Sequence, residues 1–223
     1  MFEHILYKLQ GSVAVLTLNR PQTLNALTIP MMLEVQTILS EVDRNTDIRG
    51  LIITGSGRGF CSGQDLRNRP GQGVDIVSIL MESYFPTMNA IRQCRVPVIA
   101  AVNGTAAGGG CSLALLGDYI IAGESAVFIQ VFSRIGLVPD LGSTYLLSRR
   151  IGRARALQMM LDNKPVTAKT ALEWGLINEC IKDEILERAA IQLAAQLAEG
   201  NRTDWREQRQ LGNLSFSAKS KIT

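Results

Sequence analysis

The sequence predicts an α/β fold, and three observations carry that expectation. Short apolar runs suited to buried strands alternate with stretches whose apolar residues recur at helical spacing. The runs are bounded by glycine or proline, as at Asn19-Arg20-Pro21 and Val102-Asn103-Gly104. With 223 residues, 46% of them hydrophobic, the chain can bury one ordinary core of helices layered on sheet.

Val13 to Leu18 (VAVLTL) reads as a strand ended by Asn19-Arg20-Pro21. Pro30 to Arg44 places Met32, Leu33, Val35, Ile38, Leu39 and Val42 at helical spacing. Leu51-Ile52-Ile53 is a short strand ending at Gly55, and Ile76 to Arg92 is an amphipathic helix. Val96 to Val102 is a buried strand, Cys111 to Gly117 a helix, and Asp118 to Ala122 another strand. From Gly152 the pattern is wholly helical, over Arg153 to Asp162, Ala168 to Trp174 and Asp183 to Glu199. The chain therefore divides into an α/β core, residues 1–150, and a helical region, residues 151–223.

Composition removes several function classes. The net charge of +3 is spread along the chain, so no dense basic face for nucleic acid is expected. Cys61, Cys94, Cys111 and Cys180 lack CxxC spacing, which argues against a disulfide framework or zinc and for the reducing cytoplasm. MFEHILYKLQ does not have the layout of a secretory signal. The apolar stretch VIAAVNGTAAGGGCSLALLG is broken by Asn103, Thr105 and its glycines, so it reads as strand, loop and helix rather than a membrane span. A single histidine, His4, near the N-terminus, nearly excludes Ser-His-Asp, Cys-His and multi-histidine metal chemistry.

Two glycine-bearing loops follow strands: FCSGQDL (60–66) and NGTAAGGGCSLAL (103–115). A glycine run opening a helix leaves backbone N–H groups unpaired at the positive end of the helix dipole. Neither loop has the GK[ST] ending of a P-loop or the GxGxxG spacing of a dinucleotide site. One N–H from each, at Gln64 and Gly109, can converge on a single oxygen as an oxyanion hole. GLVPDLGST (136–144) adds one carboxylate, Asp140, in an apolar turn.

NRP with NAL (19–27), GSGRGFCSGQDL (55–66), VNGTAAGGGCSLAL (102–115), IGLVPDLGST (135–144) and GRARAL (152–157) occur in this order. Together, over about residues 3 to 199, they resemble the crotonase, or enoyl-CoA hydratase/isomerase, superfamily, and within it the phenylacetate-degradation branch of ring-epoxide and enoyl-CoA isomerases. The resemblance implies a spiral of ββα units with a helical C-terminal region used in assembly as a homotrimer or dimer of trimers. It implies an acyl-CoA thioester as substrate, with coenzyme A entering as part of it and no other cofactor or metal. The positions of the thioester-holding N–H groups match Gln64 and Gly109. Those that hold coenzyme A match Leu24, Ala26, Ser62, Asp65 and Leu66. Family members carry Lys or Arg near positions 22 to 24 to meet the coenzyme A phosphates; Gln22, Thr23 and Leu24 stand there, leaving Arg20 or Arg58.

Family hydratases use two glutamates, whose positions match Ser112 and Phe132, so those residues become walls of the substrate pocket. The isomerase branch keeps its single acid at the position of Asp140. The resemblance therefore implies an acyl-CoA isomerase that shifts a double bond, or opens a ring epoxide, next to the thioester. A hydratase or lyase using Asp140 with an ordered water is the first rival, and a non-catalytic CoA- or RNA-binding relative the second. Arg134 is expected to face solvent, and Trp174 and Trp205 to pack. The C-terminal region is expected to be short for the family, without the two further helices that cover the acyl-CoA site in its members.

Overall fold

The structure is a computed structural model that describes residues 2–68, 80–200 and 205–213. Among these, ten strands form two sheets. The larger has six: β1 (Ile5–Gln10), β2 (Val13–Leu18), β3 (Gly50–Gly55), β5 (Val98–Val102), β7 (Tyr119–Gly123) and β10 (Glu179–Ile181), side by side in that order. Within this sheet only the β1–β2 hairpin is antiparallel. The smaller sheet holds β4 (Gly59–Cys61), β6 (Thr105–Ala107), β8 (Val127–Ile129) and β9 (Val166–Thr167). Each unit of the chain gives one strand to each sheet, β3 then β4, β5 then β6, β7 then β8, before moving on. This is the spiral expected from the sequence.

The interior parallel strands are buried on both faces; β5 (VIAAV) is buried at every residue. On one face of the large sheet, Val13, Val15, Ile52, Ile99 and Ile121 pack against Leu186, Ala190 and Ala194 of α6 (Leu186–Gly200). The larger core fills the other side and reaches helix α1 (Ile29–Arg44). Thr28 caps α1, its hydroxyl accepting from the Met31 N–H (3.3 Å), and Pro30 sits in the first turn, where its missing N–H costs nothing. Met31 is buried in α1, whereas Leu33 is 52% exposed. The expected apolar stripe is otherwise the buried face, with Met32, Val35, Ile38, Leu39 and Val42 all buried.

Several expectations are corrected. The region after Gly152 is not wholly helical: β9 and β10 lie in it and complete the edges of both sheets. Such strands of two or three residues carry too little periodicity to be seen in sequence. The helix expected from Arg153 starts at Ser143 and runs to Asp162 as α4, with a break at Gly152 (φ 76°, ψ 160°). The helix expected over Ile76–Arg92 is described from Leu80, as a π-turn (Leu80–Tyr84) leading into α2 (Phe85–Arg92); residues 76–79 lie outside the described residues. Helix α3 spans Gly109–Leu115, so the glycines are part of its first turn. The helix α5 (Ala168–Trp174) matches its expected bounds. The helix α7 (Trp205–Asn213) is tied to the core by Arg209, whose guanidinium pairs with Asp118 and reaches the Cys94 and Val96 carbonyls.

Candidate active site

Four segments meet at one place: the loop 20–27, the chain after β4, the N-terminus of α3, and the turn after the short 3-10 helix Phe132–Ile135.

Loop 20–27 folds back on itself through two non-glycine residues in the left-handed region, Leu24 (φ 51°) and Asn25 (φ 57°). Asn25 holds that conformation. Its fully buried amide nitrogen donates to the carbonyls of Ser56 (3.0 Å), Gly59 (2.8 Å) and Phe60 (3.2 Å), and its oxygen accepts from the Arg20 N–H (2.8 Å). The NAL motif signalled the loop, but the role of Asn25 is visible only once its distant partners are in place.

Arg20 turns inward, its guanidinium donating to the Ala26 carbonyl (2.7 Å) and pairing with Asp65 at 3.0 Å. Of the two arginines considered for coenzyme A phosphates, only Arg58 is exposed. Arg67 also bonds Asp65, from its guanidinium and from its backbone N–H. The Arg67 guanidinium first, helped by Arg20, holds the Asp65 carboxyl down to about 2 from an ordinary 3.8. Because that carboxyl is easier to deprotonate in the folded state, its contribution to stability is complete above about pH 4 and is lost as the pH falls towards 2. Asp65→Asn should therefore melt below the wild type at pH 7, with the gap closing by pH 2.5, as thermal melts at the two pH values would show. Ala26 is buried, Leu24 half-buried and Leu66 exposed, while the Ser62 hydroxyl donates to the Thr23 carbonyl (2.9 Å). The carboxylate of Asp65 is thus committed to the loop itself.

The chain after β4 pairs with Leu27: the Leu27 N–H donates to Gly63 (2.8 Å) and the Asp65 N–H to Leu27 (2.9 Å). Alternation along an extended segment turns the intervening Gln64 N–H to the opposite side. The Gly109 N–H, at the first position of α3, has no partner within its own helix. Among the described residues no backbone acceptor takes either N–H outside helices and strands. Close approach of the two loops depends on glycine. A Cβ at Gly110 would lie 2.1 Å from the Cys61 carbonyl oxygen, and one at Gly63, already at φ 94°, would lie 2.9 Å from the Ala107 oxygen. A Cβ at Gly109 would stand 3.8 Å from the Gln64 nitrogen, so the two backbone segments meet at one opening between the loops.

Asp140 sits beside that opening. Its residue opens a tight turn closed by the Ser143 N–H on the Asp140 carbonyl (3.0 Å), with left-handed φ at Leu141 (49°) and Gly142 (83°). A leucine in that region is strained, by about 1–3 kcal/mol. Leu141 is nonetheless buried, and its Cδ1 would lie 3.3 Å from a Cβ built at Gly109. Oδ1 of Asp140 is buried with no hydrogen-bond partner. Burial pushes the Asp140 carboxyl up to about 6 from 3.8, against a smaller opposing effect of its own backbone N–H. The Phe132 ring is buried, with its tip 3.8 Å from a Cβ built at Gly108.

Ser112 differs from the expected pocket wall. It has no exposed surface, and its hydroxyl is turned onto the carbonyls of Gly108 (3.3 Å) and Asp140 (3.2 Å). Arg134, with an exposed body, donates to the Asn163 carbonyl at 2.6 Å. Tyr84 was not foreseen: its buried hydroxyl donates to the Leu27 carbonyl (3.2 Å) and bonds the Gln64 side chain, and burial raises the phenol to about 12. The signal was weak, one aromatic in an amphipathic stretch. Trp174 stacks under Arg155 at 5.4 Å.

From Leu141 an apolar cavity of about 440 Å³ runs between α2 and α4, lined by Met81, Phe85, Met88, Leu116 and Leu146. A larger one, about 710 Å³, continues past shared residues such as Arg92 and Tyr145 towards Arg150 and Arg209, away from Asp140. Of these two cavities, the smaller is the one lined by residues of the Asp140 turn, Leu141 and Gly142.

Residues 8–220 match the family described as enoyl-CoA hydratase/isomerase. The chain belongs to that family. It is 44% identical over 202 residues to the 1,2-epoxyphenylacetyl-CoA isomerase of Escherichia coli K12, covering 89% of this chain and 77% of that one. It is 43% identical over 199 residues to a probable enoyl-CoA hydratase of Rhodobacter capsulatus, with the same coverage. Among solved structures, an enoyl-CoA hydratase from Bacillus anthracis superposes with a TM-score of 0.89 at 32% identity, covering 95% of this chain and 83% of that one. Membership carries acyl-CoA hydratase/isomerase chemistry to this chain, and the relatives include both kinds of enzyme. No helix among the described residues is long and apolar enough to cross a membrane.

Proposed function

We propose that this family member is an acyl-CoA isomerase with Asp140 as its single acid–base group. The observation that supports it most is the Asp140 carboxyl, buried, unpaired at Oδ1 and raised to about 6. In this mechanism the thioester oxygen accepts hydrogen bonds from the Gln64 and Gly109 N–H groups, which acidifies the α-carbon. The Asp140 carboxylate removes an α-proton, and the C–H electron pair passes into the thioester carbonyl, giving a dienolate whose oxygen carries the charge and whose conjugation extends over the β,γ double bond. The protonated carboxyl then returns the proton at the γ-carbon, leaving an α,β-unsaturated thioester and a restored carboxylate. One carboxyl suffices because proton and electrons end within the same substrate. A ring epoxide beside the thioester is opened by the same first step: the α C–H pair forms a Cα=Cβ double bond as the β C–O bond breaks, and the epoxide oxygen keeps that bond's pair and takes the proton back from the Asp140 carboxyl. The apolar cavity beginning at Leu141 suits the acyl group. Leu24, Ala26, Ser62 and Leu66 match the family's coenzyme A positions and are assigned to coenzyme A on that ground. The exposed Ile135, Leu137 and Val138 beside the turn suit a face covered in a homotrimer.

Hydration needs a second group to activate and place water, and the hydratase glutamate positions hold Ser112 and Phe132. Incubation of 3-enoyl-CoA and trans-2-enoyl-CoA in ¹⁸O-labelled water tests the reading. A 3-enoyl-CoA should be isomerised much faster than a 2-enoyl-CoA gains label. Labelled 3-hydroxyacyl-CoA forming at the isomerisation rate or above would favour a hydratase.

A further inference from the structure

Ser112 lies one turn along α3 from Gly109, so it shares a rigid element with one of the two thioester-binding N–H groups. Its hydroxyl is within hydrogen-bond reach of two carbonyls, Gly108 on its own helix and Asp140 on the turn, 28 residues away in sequence. Neither carbonyl needs it for satisfaction: Gly108 accepts the Ser112 N–H (3.0 Å) and Asp140 the Ser143 N–H (3.0 Å). A hydroxyl has one proton, so a bond to Asp140 competes with the local bond to Gly108 that helical serines commonly make.

The turn it reaches is strained and has few other polar ties to α3. The Ser143 hydroxyl donates to the buried Gln130 side chain (3.3 Å), anchoring the turn's far end to the residue after β8 rather than to α3. Leu141 leans on Gly109 by apolar contact alone. Among the described residues, the Ser112 hydroxyl is thus a direct polar bridge between the element that carries Gly109 and the residue that carries the carboxyl.

We infer that Ser112 is a positioning residue for the isomerisation: its hydroxyl, bonded to the Asp140 carbonyl, holds the Asp140 carboxyl in register with the Gln64 and Gly109 N–H groups. This rests on Asp140 as the base. Misplacing a reacting group by about 1 Å can cost on the order of 10²-fold in rate.

A double-mutant cycle tests it, with 3-enoyl-CoA as substrate and α-proton exchange into deuterated water as the sensitive readout. Ser112→Ala should lower kcat by about 10–100-fold with KM within about threefold and a similar melting temperature. In an Asp140→Asn background the same substitution should change the residual rate by less than about threefold, since groups acting as one unit are non-additive. Ser112→Cys, a similar volume with a weaker donor, should fall between serine and alanine, and it carries the test if the alanine variant does not fold. A Ser112→Ala enzyme with wild-type kcat overturns the inference, as does an equal loss in both backgrounds, which would mark Ser112 as packing. If Asp140→Asn alone turns over normally, the base assignment falls and this inference with it. That outcome is told apart by needing no change at Ser112.

Discussion

Asp140→Asn is expected to lower isomerase turnover by about 10²–10⁴-fold, the usual contribution of a general base, while leaving the affinity for an acyl-CoA nearly unchanged. Asparagine keeps the shape and loses the proton acceptor, so the thioester should still meet the Gln64 and Gly109 N–H groups. The pH dependence follows from the same carboxyl. In the free enzyme it must be ionised to accept a proton, so kcat/KM should fall as the pH drops through about 6, the value to which burial raises it. Stability moves the other way. The folded state binds this proton more tightly than the unfolded chain, so Asp140 contributes a destabilisation that develops as the pH rises from about 4 to 6 and is complete above it. Asp140→Asn should therefore melt no lower than the wild type at pH 8, with its relative advantage shrinking towards pH 4. Steady-state rates from pH 5 to 8 and melts at the two extremes check both halves. A variant within about threefold of wild-type turnover would remove Asp140 from the chemistry.

Gly109→Pro is expected to cost about 10²–10³-fold in kcat, the measured scale for one oxyanion donor in other enzymes. The first position of a helix is where proline is best tolerated, so the loss should not be a folding effect. The ring removes the N–H and puts carbon where the thioester oxygen would be held. Its Cβ would meet Leu141 Cδ1 at 3.3 Å, a contact that the end of a flexible side chain can relieve. Circular dichroism and a melt establish folding, and single-turnover rates read the loss. A folded variant with normal turnover would make Gly109 a packing glycine.

The strands β2, β3, β5 and β7 and the helix α1 were legible because each carries its own signal: a fully apolar run, or a stripe at helical spacing beside Thr28 and Pro30. The short strands of the small sheet were not, because three residues such as Gly59–Cys61 become a strand only through the partner laid beside them. The same division runs through the site. Gln64, Gly109 and Asp140 could be picked out from glycine runs, a lone acid and a family resemblance. Asn25, Tyr84 and the orientation of Ser112 depend on carbonyls 28 to 57 residues away.

By itself the sequence determined the class of fold, the presence of a single histidine and the one carboxylate in an apolar turn, since these follow from residue types and local spacing. Tertiary structure alone decided that the Gln64 and Gly109 backbones lie close together, because loops 60–66 and 103–110 come together only where Gly63 and Gly110 admit a backbone at contact distance. It also decided that Oδ1 of the half-buried Asp140 is enclosed without a hydrogen-bond partner, although the residue's backbone belongs to a turn. Burial is a property of everything packed around a group, and no stretch of sequence around Asp140 carries it.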